Sequence, residues 1–552
     1  MGFAYPRFEF RAPPELGARA PARHPVVVIG AGPVGLSLAI DLATRGRNVV
    51  VLDDDDTVSV GSRGLCYAKR TLEIWDRLGC AAPMVEKGVT WQVGKVFFGE
   101  RQVYAFDLLP EGGHRFPAFI NLQQYHLESF LVERARATAG VDLRFRNKVA
   151  GIAPRGDGVG LTVETPQGGY SIDAEWVVAC DGARSPTRRA LGLDFKGRVF
   201  EDRFLIADVR MTADFPTERW FWFEPPFHNG GSTLLHKQPD DIWRIDFQLG
   251  WGADPEAEKQ PERVIPRIQR MLGPDAKFEL DWVSVYTFQC RRLERFRHGR
   301  VLFAGDSAHQ VSPFGARGAN SGVQDADNLG WKLAAVLAGQ APETLLDSYD
   351  SERVEAADEN ILNSTRATDF ITPKNEASRR LRDAVLELAA DQPFARRLVN
   401  SGRLSLPTAY ARSPLSSPDE GSFADGVPAG APARDAPLMR EGKPAWLLDL
   451  LKDGFSALYF AGADTPPDAV TALAALANDQ TPIRAAVVSR VAQAGLPMPT
   501  AIDESGLAFE RYDAAPGTVV LFRPDQHVAA RSQHLDPAAL RRARDRALGK
   551  TP

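Results

Sequence analysis

Residues 26–53 constrain the fold more than any other stretch, because they combine two apolar runs with a glycine-rich turn. The β-branched run 26–29 ends in the turn Gly-Ala-Gly-Pro-Val-Gly, a segment of helical period follows, and a second apolar run ends at Asp53. This order predicts a strand, a tight turn, a helix and a second strand. Asp53 lies 23 positions after Gly30, where a carboxylate can accept a hydrogen bond from a ribose hydroxyl. We therefore expect a dinucleotide site for either NAD or FAD.

Each glycine of the turn has its own expected task. Gly30 permits the tight turn, Gly32 lets backbone N–H groups approach a pyrophosphate, and Gly35 lets the helix pack closely on the strand. The alternative is a glycine-rich turn without a ligand. The second strand and its terminal acid disfavour that alternative.

Length and composition limit the possible classes of protein. A chain of 552 residues is long enough for more than one domain, and its net charge of −5 gives no support to nucleic-acid binding. The four cysteines lack metal-ligand spacing, which favours reduced thiols in a cytoplasmic protein and no metal site. The most apolar stretch, 26–43, contains glycines, a proline and an aspartate, so we expect no membrane span.

The first 400 residues contain segments of different period. Residues 1–24, rich in Pro, Ala and Arg, are expected to form a flexible extension and not a signal peptide. Alternation over 91–106 predicts a hairpin, and alternation through 195–290 predicts an antiparallel sheet. A long helix is expected to begin near Gly322, with helices continuing to about Asn400.

The last 150 residues are expected to form a unit of their own. Residues 401–430 are dense in Pro, Ser, Gly and Ala, which predicts a linker. Residues 431–552 have an αβ pattern that ends in a helix with Asp536 as N-cap. This unit contains no cysteine, so redox exchange by it is excluded, and a covering role or a subunit interface is expected.

Three buried strands each end in a short polar motif: the turn 30–35, Asp181-Gly182 and Gly305-Asp306. Their order and spacing resemble the single-component FAD-dependent aromatic hydroxylases, which are the class A flavoprotein monooxygenases. This family includes p-hydroxybenzoate, phenol and 3-(3-hydroxyphenyl)propionate hydroxylases. The resemblance covers residues 26–355, and the C-terminal unit resembles the thioredoxin-like domain of the phenol hydroxylase branch.

The resemblance implies an α/β fold with interleaved domains. A Rossmann-like FAD-binding domain is expected over 25–194 and 291–400, with a substrate-binding antiparallel sheet over 195–290. A thioredoxin-like domain is expected over 431–552. Because every FAD motif lies upstream of residue 355, a chain that ends near residue 402 is expected still to bind FAD.

The resemblance also assigns cofactor roles. Asp306 is expected to bind the ribityl chain, and the amides of Ala319 and Asn320 to reach the flavin N1 and C2 carbonyl. Arg317 stands where many relatives carry Gln. Asp181 belongs to a motif implicated in both FAD and nicotinamide binding, and Gln123 is the alternative to Gln124. The full set of expected FAD-binding residues is Gly30, Gly32, Pro33, Gly35, Asp53, Arg63, Gln124, Val149, Asp181, Asp306, Gly318, Ala319 and Asn320.

The implied reaction is hydroxylation of a small phenolic substrate with O2, through a C4a-hydroperoxide of tightly bound FAD. NADH or NADPH is the expected transient co-substrate, and a homodimer is the expected assembly. The phenol hydroxylase branch places an aspartate just after the position of Arg63, but this chain has none there. The candidate catalytic residues are Tyr286, His236, Arg244 and Pro313, although His236 and Arg244 could equally be ordinary sheet-face residues.

Other functions remain open from the sequence. A flavin monooxygenase of the same fold could act on a polycyclic, polyketide-like aromatic or antibiotic. Residues 220–225 partly match a flavin-dependent halogenase signature, but they lie in a predicted strand without its isoleucine. An NAD dehydrogenase would have no use for residues 305–322. The last alternative is a flavin-binding protein without turnover.

Overall fold

The computed structural model describes residues 3–228, 230–399, 404–451 and 454–550, apart from the side chain of Glu201. The predicted helix end near Asn400 and the linker start at residue 401 lie outside the described residues. The fold is mixed α/β with several sheets.

Helices and strands are numbered along the chain. The first part contains β1 (Ala22–Ile29), α1 (Pro33–Thr44), β2 (Val49–Leu52), β3 (Cys66–Ala68), α2 (Lys69–Arg77), α3 (Ala81–Lys87), β4 (Val89–Trp91), β5 (Val93–Phe98), β6 (Arg101–Asp107), β7 (Phe119–Asn121), α4 (Gln124–Ala137), β8 (Val141–Arg144), β9 (Lys148–Pro154), β10 (Val159–Thr165), β11 (Gly168–Ala179) and α5 (Pro186–Ala190).

The middle part contains β12 (Lys196–Arg210), β13 (Arg219–Phe223), β14 (Ser232–Lys237), β15 (Ile242–Leu249), α6 (Pro255–Glu258), α7 (Pro261–Leu272), β16 (Glu279–Arg292), β17 (Arg297–His298), β18 (Val301–Phe303), β19 (His309–Gln310), α8 (Gly318–Leu337), α9 (Leu345–Ile371), α10 (Glu376–Ala389) and α11 (Pro393–Val399).

The C-terminal unit contains β20 (Pro437–Arg440), β21 (Lys443–Trp446), β22 (Phe455–Phe460), α12 (Pro467–Ala475), β23 (Ile483–Ser489), β24 (Thr500–Ile502), α13 (Leu507–Arg511), β25 (Val519–Phe522), β26 (Val528–Ser532) and α14 (Pro537–Ala547). Short 3-10 helices occupy Gly305–Ser307, Leu447–Leu450 and Leu476–Asn478.

The first sheet has the strand order β17-β18-β11-β1-β2-β8, and β10 and β9 join it at β11. Strands β18, β11, β1 and β2 pair in parallel. Their apolar runs are buried because helices cover the sheet, as parallel sheets require. Helices α1 and α8 approach closely at glycines: a Cβ on Gly322 would lie 2.7 Å from Cγ2 of Val34. This contact places the N-termini of both helices at the same edge of the sheet.

The second sheet has the order β19-β16-β12-β15-β14-β13-β5-β6. It therefore extends the region predicted over 195–290 with the hairpin β5–β6 and with β19. The predicted turn of that hairpin is observed between β5 and β6, with Gly99 at φ +59°. One face packs on α7, and the other faces α9, α10 and α11. We call the face toward α9–α11 the inner face of the second sheet.

The C-terminal unit is built on a third sheet, of order β21-β20-β24-β23-β22-β25-β26. Alternate residues of β22 and β25 contribute to two separate hydrophobic clusters, one on each face. The last helix begins as expected: Asp536 is its N-cap and accepts a hydrogen bond from the Ala538 amide at 2.8 Å. A small fourth sheet, β3-β7-β4, lies near the start of the chain.

The described residues before β1, 3–21, pack on the protein, unlike the flexible extension expected for residues 1–24. The Phe8 ring stacks on Phe145 with centroids 4.0 Å apart, and Glu15 forms a buried ion pair with Arg144 at 3.0 Å. Strand β1 itself begins at Ala22. The aromatic residues scattered among the prolines and arginines provide the apolar contacts that the overall composition of the segment conceals.

Residues 404–430 likewise run against the protein. Leu404, Leu415 and Val427 are buried, and Tyr410 stacks on His527 with centroids 4.7 Å apart. The described part of the predicted linker therefore behaves as an extended packed segment.

No helix in the described ranges is both long enough and apolar enough to span a membrane.

Candidate active site

The three predicted motifs meet at one edge of the first sheet, because β1, β11 and β18 are parallel neighbours that each end in one of them. Gly30 has φ +105°, and a Cβ there would lie 2.5 Å from the Cys180 carbonyl oxygen. A Cβ on Gly35 would lie 2.0 Å from the Gly30 carbonyl oxygen, whereas one on Gly32 would meet nothing within 4 Å. Gly30 and Gly35 are therefore needed because the neighbouring backbone leaves no room for a side chain. Gly32 instead leaves open space at the start of α1.

Asp53 secures this turn. Its Oδ2 accepts a hydrogen bond from the Ala31 amide at 2.6 Å, and its Oδ1 accepts one from the Asp55 amide at 2.9 Å. Burial raises the pKa of Asp53 to about 6, so the carboxylate is mainly ionised at neutral pH. The half-buried carboxylate stands at the end of β2, where it can also accept from a ligand hydroxyl.

Asp306 lies in the 3-10 turn that follows β18. Its side chain is exposed, yet burial by surrounding protein raises its pKa. Because the Asp306 carboxylate is surrounded by protein but still reached by solvent, it lies in a cleft. Asp325 holds this turn in place. Its Oδ2 accepts a hydrogen bond from the Gly305 amide at 2.9 Å and lies 2.7 Å from His309 Nε2.

Helix α8 starts at Gly318, four residues before the predicted start. Gly318, Ala319 and Asn320 therefore form its first turn, whose N–H groups have no acceptor within the helix. The Asn320 side chain holds β3, because its Oδ1 accepts from the Ala68 amide at 2.8 Å and its Nδ2 donates to the Cys66 carbonyl at 2.9 Å. The positive end of the helix dipole lies at these residues.

Gln124 positions the loop that carries Arg63. Its Oε1 accepts from the Gly64 amide at 2.8 Å, and its Nε2 donates to Glu128 at 2.7 Å. Arg63 itself is exposed. Gln123 is buried and donates to the Pro239 carbonyl at 3.1 Å, so it contacts the second sheet instead.

Asp181 and Val149 complete the predicted cofactor residues. The Oδ2 of Asp181 accepts from the Thr187 amide at 3.0 Å, and its buried Oδ1 has no hydrogen-bond partner among the described residues. Pro33 is the first residue of α1. Val149 lies in β9, half-buried against the core of the first sheet and opposite Val163.

The loop from Pro313 to Arg317 joins this edge to the second sheet. Pro313 is exposed, and its carbonyl accepts from the Ala316 amide at 3.0 Å. The neighbouring Phe314 ring packs on Phe204 and Phe288, with centroid distances of 5.0 and 5.1 Å. The inner face of the second sheet therefore lies beside the N-terminus of α8.

Tyr286 belongs to the same region. It lies in β16 and is 46% exposed, and the charges of Asp306 and Arg63 act on its hydroxyl. Burial, with a contribution from Asp306, raises the pKa of Tyr286 to about 12. The hydroxyl is thus protonated at neutral pH and can donate a hydrogen bond.

His236 and Arg244 lie opposite each other in β14 and β15. Arg244 is committed to protein: its Nε donates to Asp208 Oδ1 at 2.9 Å and its Nη2 to Ser62 Oγ at 2.9 Å. His236 Nδ1 lies 3.9 Å from Cys66 Sγ, and its buried Nε2 has no hydrogen-bond partner in the described part of the chain. Burial, together with two nearby arginines, lowers the pKa of His236 well below its ordinary value.

Arg219 and Asp246 lie on the same face and were not predicted from the sequence. Arg219 is buried in β13 and lines an enclosed, mainly apolar cavity with Phe106, Phe221, Phe314 and Ile371. Asp246 in β15 is half-buried, and its Oδ1 has no partner among the described residues. The available signal was the period of two, which puts Arg219 with Phe221 and Arg244 with Asp246 on one face.

The cavity measures about 30 Å³. A site that holds a single benzene ring requires about 150 Å³, so side chains around Phe314 must move to admit an aromatic substrate.

These residues fit FAD. Backbone N–H groups at two helix N-termini, an acid at the end of β2 and an exposed acid at the end of β18 are the donors and acceptors that a dinucleotide requires. No group of three or more possible metal ligands occurs within the described ranges.

Comparisons with known proteins agree with this geometry. Residues 23–364 match the FAD binding domain family. The 6-methylpretetramide 4-monooxygenase of Streptomyces rimosus is 33% identical over 92% of this chain and 90% of its own length. A 3-(3-hydroxy-phenyl)propionate/3-hydroxycinnamic acid hydroxylase of Mycolicibacterium smegmatis is 30% identical over 69% of this chain and 67% of its own length.

A solved structure of similar fold is a ternary complex of aklavinone-11 hydroxylase with FAD and aklavinone. It has a TM-score of 0.76 and 25% sequence identity, and the match covers 96% of this chain and 100% of that one. The chain therefore belongs to the FAD-dependent aromatic hydroxylases, the class A flavoprotein monooxygenases resembled by its three strand-end motifs.

Proposed function

We propose that this enzyme hydroxylates a phenolic ring of a polycyclic aromatic substrate, with O2 and either NADH or NADPH as co-substrates. The observation that carries the proposal is the loop from Pro313 to Arg317, which joins the FAD-binding edge to the inner face of the second sheet. Bound FAD supplies the transfer of one oxygen atom from O2 to the ring.

The residues of this chain bind and orient both partners in this proposal. Asp306 and Asp53 accept hydrogen bonds from hydroxyl groups of the cofactor, and the first turn of α8 stabilises negative charge beside it. Phe106, Phe221 and Phe314 exclude water from the aromatic ring. Tyr286, with its hydroxyl protonated, donates a hydrogen bond near Asp306.

The extent of the similarity favours the polycyclic class. The 6-methylpretetramide 4-monooxygenase matches 92% of this chain, including the C-terminal unit, whereas the phenylpropionate hydroxylase matches 69%. A single-ring phenol with an acid side chain is the second candidate. It is supported by Arg219, a buried cation beside the cavity, whereas Lys95 is already paired with Glu218 at 2.7 Å.

The proposal is tested by oxidation of NADH and of NADPH in the presence of different phenols. Polycyclic phenols such as alizarin and aklavinone are compared with 3-(3-hydroxyphenyl)propionate, and product mass is measured in labelled oxygen. We expect stimulated oxidation and one labelled oxygen atom in a polycyclic product. Stimulation only by the single-ring acid would select the second candidate, and no oxygenated product from any phenol would contradict hydroxylation.

We also infer the roles of the remaining parts. The order β22, α12, β23, β24, α13, β25, β26 and α14 supports a thioredoxin-like C-terminal domain, which has no redox chemistry because it has no cysteine. Asp181, with its unpartnered Oδ1, is the candidate contact for the transient nicotinamide co-substrate. A homodimer is the proposed assembly, and four unpaired cysteines support a cytoplasmic location.

A further inference from the structure

Three polar side chains from three adjacent strands face the inner side of the second sheet, and each has polar atoms that no described residue binds. Asp246 of β15 and Arg219 of β13 make no hydrogen bond or ion pair with any residue that the structure describes. Between them, Nε2 of His236 in β14 has no hydrogen-bond partner within the described ranges. Buried polar groups are normally hydrogen-bonded, so a cluster of three such groups indicates a ligand.

The strand register places these groups together. His236 is opposite Arg244, and the pairing of Trp220 with Leu235 sets Arg219 opposite His236. Asp246 follows Arg244 by two positions and therefore lies on the same face. Arg219 lines the aromatic cavity, so the cluster reaches the place where an aromatic substrate would bind.

We propose that Asp246 is the base that takes the phenolic proton of the substrate, and that Arg219 pairs with the oxygen that becomes negative. This inference rests on the proposed function. The phenol O–H bond breaks, its proton forms an O–H bond with the Asp246 carboxylate, and its electron pair remains on the phenol oxygen beside Arg219. His236 Nε2 accepts or donates a hydrogen bond at the same substrate edge.

The surroundings of Asp246 suit this role better than those of the other candidates. Burial, together with the nearby Asp208 of β12, raises the pKa of Asp246 to about 7. Arg244 of the same strand and Arg219 of β13 act in the opposite direction and lower this pKa in part. Cys66 of β3 also faces it, but burial raises the pKa of that thiol to about 11, so it stays protonated at neutral pH. Arg244 is held by Asp208, and His236 has too low a pKa to be an effective base.

The kinetic test compares wild-type holoenzyme with Asp246→Asn on 2-naphthol, a polycyclic phenol that is protonated at neutral pH, and on its more acidic 1-nitro derivative. We expect the variant to lose about 10²- to 10⁴-fold in kcat on 2-naphthol, and to recover much of this loss on the nitro derivative, which ionises without help. Wild-type kcat/KM should rise as pH passes through the neutral range, and this limb should disappear in Asp246→Asn. An equal loss on both phenols, or none, would overturn the assignment of the base.

The binding test needs no turnover. Arg219→Gln holoenzyme should bind the ionised nitro derivative about tenfold to a hundredfold more weakly, as read from the flavin absorbance, whereas Arg219→Lys should recover part of the loss. Asp241→Asn, at an exposed acid five residues before Asp246, is the control and should match wild type in both assays. Unchanged binding in Arg219→Gln would overturn its role.

Flavin content and thermal unfolding establish that each variant is folded. The two proposals fail differently. Absence of phenol-stimulated NAD(P)H oxidation in wild type would contradict the proposed function, whereas wild-type behaviour of Asp246→Asn and Arg219→Gln would contradict only the inference made here.

Discussion

Arg523 forms a two-contact ion pair with Glu352 in the interior of the protein, with Nη1–Oε1 at 2.7 Å and Nη2–Oε2 at 3.1 Å. Arg523 follows β25 of the C-terminal unit, and Glu352 lies in α9. Lys332 of α8 also donates to Glu352 at 2.7 Å. Although burial opposes ionisation, Arg523 and Lys332 hold the pKa of Glu352 below its ordinary value. Buried charges thus join the C-terminal unit to the helices behind the FAD-binding edge.

Arg523→Met should destabilise the whole protein, because it leaves Glu352 buried with one cation fewer. Breaking a buried ion pair by removing one partner costs about 3–5 kcal/mol. Urea unfolding followed by circular dichroism measures this change. Arg412→Met is the control, since its ion pair with Glu355 is at the surface and should contribute no more than about 1 kcal/mol. Equal unfolding midpoints for the two variants would contradict a structural role for the buried pair.

Removal of residues after 402 should impair FAD binding as well as stability. The sequence predicted a loss of stability with FAD binding retained, because every FAD motif lies upstream. However, Arg353 of α9 contacts both Asp325, which fixes the Gly305 turn, and Tyr410, which would be lost. The flavin content of purified truncated protein measures the effect. A soluble truncated protein with full flavin content would restore the simpler division into independent units.

Asp306→Ala should be isolated largely without flavin. The lost hydrogen bond to a ligand hydroxyl costs on the order of 1–3 kcal/mol, which is roughly tenfold or more in affinity. Flavin content and FAD titration of the stripped protein provide the measurement. Asp275→Ala is the control. It changes an exposed aspartate outside the FAD motifs and should bind FAD as wild type does. Wild-type affinity in Asp306→Ala would reject the ribityl contact.

His114 should make stability depend on pH in the acidic range. Its side chain is 6% exposed, and burial, with Lys69 and Arg511 nearby, lowers its pKa from 6.5 to about 4. The unfolded chain therefore binds more protons between these values, so the contribution of neutral His114 is full above pH 6.5 and is lost as pH falls toward 4. The loss amounts to about 1–3 kcal/mol.

The measurement for His114 is the urea midpoint at pH 7 and pH 5 in wild type and in His114→Asn. Wild type should lose more stability than the variant over this interval, whereas His534→Asn, at an exposed histidine, should follow wild type. Parallel losses in wild type and His114→Asn would show that other groups set the pH dependence.

Local pattern predicted much of the fold. The alternation through 195–290 predicted the antiparallel sheet that contains β15, where Arg244, Asp246 and Gln248 alternate with apolar residues and make the period of two visible. The start of α8 was predicted four residues late, since Gly318 and Gly322 lower helix propensity and make the first turn look like loop. The packing of residues 3–21 was not predictable, because it depends on contacts such as Phe8 with Phe145 that are distant in sequence.

The residues of the candidate site that belong to short sequence motifs were predictable, whereas those that only strand pairing brings together were not. Gly30, Asp53 and Asp306 each follow a strand within a short motif, so the chain order alone brings them to one edge. Arg219 and Asp246 belong to different strands with no motif, and only the cross-strand register unites them. Tertiary pairing of this kind leaves no signal in the periodicity of a single strand.

Hydroxylation by this enzyme is measured most directly as NAD(P)H oxidation by the purified flavoprotein with alizarin under labelled oxygen. We expect alizarin to stimulate NADH or NADPH oxidation and to gain a single labelled oxygen atom on a ring carbon. Oxidation that yields only hydrogen peroxide, with no labelled product from alizarin or from any other phenol tested, would contradict it.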